Sequence, residues 1–151
     1  MERLRRRSVT GVVATFSGYQ EGRCAYCNQE MTAKGAGLPI VEHVLPFSLL
    51  TQRVASQQPW PGPHLDAVWN LVLSCSPCND SKHACAPQRE WMPWLIRRND
   101  DLIASKHPLR QTLINQTGGT PTARAATVLA AHAEAATRHQ VTWTPPRRLP
   151  T

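Results

Sequence analysis

Four of the five cysteines in this 151-residue chain fall into two Cys-x-x-Cys pairs, Cys24/Cys27 and Cys75/Cys78. A Cys-x-x-Cys turn aims two sulfurs at one point, and two such turns supply the four tetrahedral thiolates that Zn2+ prefers. If both pairs serve one ion, residues 28–74 must fold so that their two ends meet. Chance pairing and a dithiol redox site share the same spacing and stand as the alternatives. The N-terminal stretch "MERLRRRSVTGVVATF" is basic and lacks both a long apolar core and a small-residue cleavage site. It therefore reads as neither a signal peptide nor an anchor. Without export, disulfides are not expected, and metal binding comes first. An ion closed in by four thiolates leaves no position for substrate, so it would stabilise the fold rather than do chemistry. Cys85 is left over and is expected to be a thiol with no metal role.

The formal net charge is +7. A basic balance of that size favours a polyanionic partner, most simply nucleic acid. The plainer account is solubility plus a solvated basic segment at Arg5, Arg6 and Arg7. Hydrophobic residues make up 41%, which suits one small globular domain and argues against disorder throughout. No run of 18 apolar residues exists, so no membrane partner is expected and the location is read as cytoplasmic.

Along the chain, residues 8–20 read as a short helix and residues 24–31 as a knuckle. Ile40–Leu45 is a β-prone run stopped by Pro46, and "WNLVLS" (69–74) is a second strand. The three prolines and one glycine of residues 59–63 argue for a long irregular connection over 47–68. A helix is expected from about Pro77 to Ala84, with proline tolerated in its first turn. Beyond Pro87 the spacing of Trp91, Trp94, Leu95, Leu102 and Ile103 is helical, with Pro93 starting or kinking that helix. Residues 108–116 form another helix candidate, and Thr120-Pro121 caps an alanine-rich helix to about residue 138. The tail "TPPRRLPT" is expected to be mobile.

Polar residues sit between and after the cysteine pairs in a definite order: "CAYC" (24–27), "EHVLP" (42–46), "WNLVLSC" (69–75) and "CSPCNDSK" (75–82). This order resembles the prokaryotic HNH endonucleases whose ββα-metal core is stapled by zinc. The resemblance covers roughly residues 20–85, with a softer likeness of residues 86–119, including "HPLRQTLINQTG", to the helical extension of such proteins. It implies an α+β fold: a small ββα-metal (His-Me finger) core with a structural zinc, flanked by helices that are mainly C-terminal. The implied organisation is a basic N-terminal segment or helix (1–20), a nuclease core (21–86), a helical extension (87–140) and a mobile tail (141–151).

The resemblance also implies roles. His43 would be the general base, Glu42 a ligand of a catalytic divalent ion (Mg2+ or Mn2+), and Asn79 a second ligand. Asn70 would hold the loop bearing His43 and fix its ring orientation. Cys24, Cys27, Cys75 and Cys78 would hold the structural Zn2+. An oxygen-rich site of Glu42 and Asn79 suits a hard ion. His83 lies four residues after Asn79, so on a continuous helix the two share one face. That makes His83 a third metal ligand or, alternatively, a helix-end contact to carbonyls or phosphate. Lys82 and Arg89 are the nucleic-acid-binding candidates. Two positions depart from the commonest pattern: a glutamate where many relatives carry aspartate, and Asn79 where others carry histidine.

The expected activity is hydrolysis of DNA phosphodiester bonds, in restriction, phage defence or a mobile element. Basic charge does not separate DNA from RNA. A lone site nicks one strand, so a double-strand cut calls for a homodimer or a second encounter, and targeting calls for a partner protein. The competing expectation is a zinc-stabilised nucleic-acid-binding module whose cleavage is lost or latent.

Overall fold

The computed structural model describes residues 2–32, 38–50, 58–139 and 141–146, with side chains from residue 11 on. The arginine side chains at 5–7, part of the 47–68 connection and the tail at 147–151 lie outside these. The described residues form a small mixed α/β structure with two two-stranded sheets. The chain divides into two compact units: Met1–Glu42 with Leu71–His83 and Pro145–Thr151, and His43–Asn70 with Ala84–Thr144.

The first unit begins with helix α1 (Glu2–Gln20), which starts earlier than the expected residue 8. Val12, Phe16 and Gln20 are buried at four-residue steps, the spacing of one helix face. The helix ends where Glu21 turns to φ 54° and Gly22 to φ 69°. Gly22 N–H donates to Ser17 O and Glu21 N–H to Gly18 O, the paired bonds that satisfy the last carbonyls of a helix ended by a left-handed residue. Strands β1 (Ile40–His43) and β2 (Leu71–Ser74) pair in one sheet. All four β2 residues are buried. The expected strand start at Trp69 gives way to a 3-10 turn, Val68–Asn70, whose Asn70 N–H donates to Ala67 O. Helix α2 (Ser76–Lys82) follows, with Cys75 as N-cap and proline in the first turn. It stops short of Ala84 because His83, at φ 50° and ψ −138°, leaves the helical path.

Gln20 fastens this unit. Its Oε1 accepts the Leu73 N–H at 3.0 Å, while Nε2 donates to Leu73 O at 2.9 Å and to Arg23 O at 2.7 Å. A buried polar side chain is tolerable when its donors and acceptors are satisfied, and here one amide serves as an extra strand-like partner for β2.

The second unit is mostly helical. Helices α3 (Met92–Ala104), α4 (Arg110–Thr117) and α5 (Pro121–His139) pack together, and α3 and α4 also pack against the turn that carries Trp69. Pro93 lies in the first turn of α3, where its missing N–H costs nothing. Met92, Leu95, Leu113, Val128, Ala135 and Trp69 form the core. Thr120 Oγ1 accepts the Ala123 N–H at 3.1 Å, capping α5 as the sequence implied. Strand β4 (Thr142–Trp143), in the segment expected to be a mobile tail, pairs in parallel with β3 (Ala86–Pro87). His132 on α5 meets Pro87 O at 2.7 Å, tying that pair to the helices.

Candidate metal centre and candidate catalytic residues

In the first unit the Cys24–Cys27 segment turns back on itself. Cys24 N–H donates to Gln29 O and Asn28 N–H to Cys24 O, both at 2.9 Å, and Arg23 pairs with Glu30 in an antiparallel bridge. Asn28 carries φ 61°, a left-handed conformation that asparagine accepts better than most residues. Ala25 N–H donates to Leu73 O at 3.1 Å, which docks this turn on β2. The strand then delivers Cys75 at the N-cap of α2 and Cys78 within its first turn.

The two turns meet. The four Sγ atoms of Cys24, Cys27, Cys75 and Cys78 all lie within 4.8 Å of one another, close enough to bind one metal ion. Cys27 Sγ and Cys75 Sγ are 3.8 Å apart. Four thiolates at the usual Zn–S length of about 2.3 Å, arranged tetrahedrally, stand roughly 3.8 Å from each other. Four buried sulfurs with that spacing fit a structural zinc. Among the described residues, no other group of three or more His, Cys, Asp or Glu side chains is arranged to hold a metal.

The thiols are not equivalent. Burial pushes the Cys24 thiol up, but N–H groups directed at it outweigh burial and leave it below the ordinary value. Cys24 Sγ accepts from Tyr26 N–H and from Cys75 N–H, each at 3.4 Å. Burial, with Cys24 close by, pushes Cys27 up to about 11 and raises Cys78 further. Cys24 is thus better prepared to be a thiolate than Cys27 or Cys78, and an incoming dication would deprotonate those two.

Glu42 and Lys82 also belong to the first unit. Lys82 Nζ lies 2.8 Å from Glu42 Oε1, and the Tyr26 hydroxyl donates to Glu42 Oε2. Burial first, and the neighbouring Glu42 charge second, hold the Tyr26 phenol well above its ordinary value, so it stays protonated as a donor. A cation and a hydroxyl therefore serve the two oxygens expected to hold a divalent ion. As arranged, this carboxylate does not fit a hydrated hard cation, which wants oxygen ligands without an ammonium already in contact. Lys82 is 1% exposed, and a phosphate contact from it would require breaking this pair. Asn79 is half-buried on α2, and its carbonyl accepts the His83 N–H at 3.2 Å. His83 is exposed and lies beyond the helix end, so the shared-face premise for a third ligand does not apply to it.

The second unit holds His43, Asn70 and Arg89. Asn70 is fully buried. Its Oδ1 accepts the Leu45 N–H, and its Nδ2 donates to Leu45 O and Leu65 O, all at 2.9 Å. Its own carbonyl accepts the Val44 N–H at 2.9 Å. The side chain thus holds the backbone two residues beyond His43. His43 Nε2 lies 2.8 Å from Asp66 Oδ1, and its ring packs 5.4 Å from Phe47. Arg89 is exposed in a 3-10 turn before α3.

No known protein family, curated protein sequence or solved structure matches the chain. Three side chains that serve these groups lie outside the motif residues: Gln20 and Tyr26 in the first unit, and Asp66 in the second. Only Asp66 had a local cue, four residues before Asn70 in "LDAVWN". No helix among the described residues is long and apolar enough to cross a membrane.

Proposed function

We propose that this chain is a zinc-stapled endonuclease of HNH type that hydrolyses phosphodiester bonds in DNA. The observation that carries the reading is the Asn70 clamp: one buried amide holds Leu45 at both its N–H and its carbonyl, just beyond His43. A histidine at the end of β1, next in sequence to a carboxylate of that strand and followed by backbone that a buried asparagine holds, suits activation of water. His43 accepts a proton from water as the water oxygen attacks phosphorus. The bond to the 3′ oxygen breaks, and that oxygen takes a proton from solvent, leaving a 5′-phosphate and a 3′-hydroxyl. The four-cysteine site supports the reading by supplying the fold rather than the chemistry, because four thiolates leave no open position. The +7 charge favours the polyanionic substrate.

Such enzymes draw on a divalent ion, Mg2+ or Mn2+, for charge stabilisation at the phosphate. Glu42 enters this proposal as a ligand only in a state where Lys82 has moved. The pairing with Lys82 favours a second reading, a zinc-stabilised nucleic-acid-binding module with latent or lost cleavage. Incubation of the purified protein with supercoiled plasmid, with Mg2+ or Mn2+ and with or without EDTA, separates the two. The endonuclease reading expects EDTA-sensitive nicking. Plasmid retention on the protein with no nicking under either metal favours the binding module.

A further inference from the structure

His43 has a carboxylate beside it. Asp66 Oδ1 lies 2.8 Å from His43 Nε2. A carboxylate only accepts hydrogen bonds, so the proton of that bond sits on Nε2. In the neutral ring the lone pair is then on Nδ1.

The surroundings keep the two groups in register. Asn70 Nδ2 donates to Leu45 O and also to Leu65 O, so one amide holds the backbone beyond His43 and the residue before Asp66. His64 Nδ1 accepts the Asp66 N–H at 3.1 Å, which turns the chain at the aspartate. Trp69 Nε1 donates to His64 O at 2.7 Å, and Trp69 is fully buried. The Asp66 segment is thus anchored at both ends. Phe47 packs on the imidazole at an interplanar angle of 37° and limits its rotation. The dyad is partly open to water, with side-chain exposures of 17% for His43 and 31% for Asp66.

We propose that Asp66 is a positioning residue for His43, fixing the ring and its tautomer so that Nδ1 is the nitrogen that takes the proton from water. This rests on the endonuclease reading for its catalytic consequence, while the tautomer itself stands on the geometry alone. An aspartate in this place selects one of two ring nitrogens and removes the rotational freedom that a lone histidine would have. Orientation of this kind contributes through the near-attack geometry of the base.

The test uses the full chain loaded with zinc. Long-range 1H–15N spectra of the parent should show neutral His43 protonated at Nε2. Asp66→Ala should give a mixture of tautomers at His43, with zinc content unchanged. Its kcat for plasmid nicking should fall about 10- to 100-fold, part of the roughly 100- to 10,000-fold that a general base supplies, with KM near the parent value. A parent His43 protonated at Nδ1, or an Asp66→Ala variant with parental tautomer and kcat, overturns the proposal. A parent that nicks nothing removes the endonuclease reading and the catalytic role of Asp66 with it. The tautomer spectra then still report whether Asp66 positions the ring.

Discussion

Lys82 Nζ contacts Glu42 Oε1 at 2.8 Å, with side-chain exposures of 1% and 7%. Lys82 closes α2, Glu42 lies in β1, and Tyr26, inside the first cysteine turn, donates to the other Glu42 oxygen. One carboxylate therefore joins three elements of the unit that carries the cysteine cluster, and the pair holds structure whatever else it does.

Removing one partner of such a pair strands a buried charge. Lys82→Met should cost about 3–5 kcal/mol in denaturant unfolding of the zinc-loaded protein. Glu42→Gln/Lys82→Met should recover most of that loss, because glutamine still accepts from Tyr26 and no charge is left alone. A single variant within about 0.5 kcal/mol of the parent, the range of ordinary surface substitutions, would show that the pair is not closed to water.

Zinc binding should depend on pH. Zinc needs thiolates, so the metal-bound form weakens as pH falls. Elemental analysis should find one zinc per chain in the parent, and Cys24→Ser or Cys75→Ser should lose it together with most of the fold. Competition with a chromogenic chelator from pH 8 to 5 should show falling zinc affinity. A metal-free parent that is fully folded, or zinc affinity that is flat over that range, contradicts a four-thiolate site.

What the sequence disclosed were features set by short spacing. The cysteine turns, the apolar run Leu71–Leu73, the proline-tolerant start of α2 and the Thr120 cap of α5 each depend on residues a few positions apart. The features it hid depend on distant partners. Gln20 and Leu73 meet across 53 positions, and nothing in "GYQEG" marks that glutamine as a strand partner. The burial of Glu42 and Lys82 and their pairing across 40 positions leave no mark on the motifs that carry them. The β3–β4 pairing joins Ala86 to Thr142 through backbone groups in proline-rich segments, where propensity argues against strands.

Asn70→Ala should be costly for both stability and activity. It leaves the buried Leu45 N–H and the carbonyls of Leu45 and Leu65 without the amide that serves them. Each buried group left unsatisfied costs about 1–3 kcal/mol, moderated where water can enter. Loss of about 2–4 kcal/mol in unfolding, with nicking reduced beyond detection, is the expected pair of outcomes. Asn70→Ala with parental stability would mean that this loop is not held by the clamp.

The most direct measurement compares nicking of supercoiled plasmid by the parent and by His43→Ala, with both proteins carrying the same zinc content. His43 has no part in the cysteine cluster, so the variant should fold, keep one zinc and bind DNA as the parent does. Nicking by the parent and a fall of about 100-fold or more in the variant are expected, the share a general base supplies. Equal nicking rates for the two proteins would rule out His43 as the base.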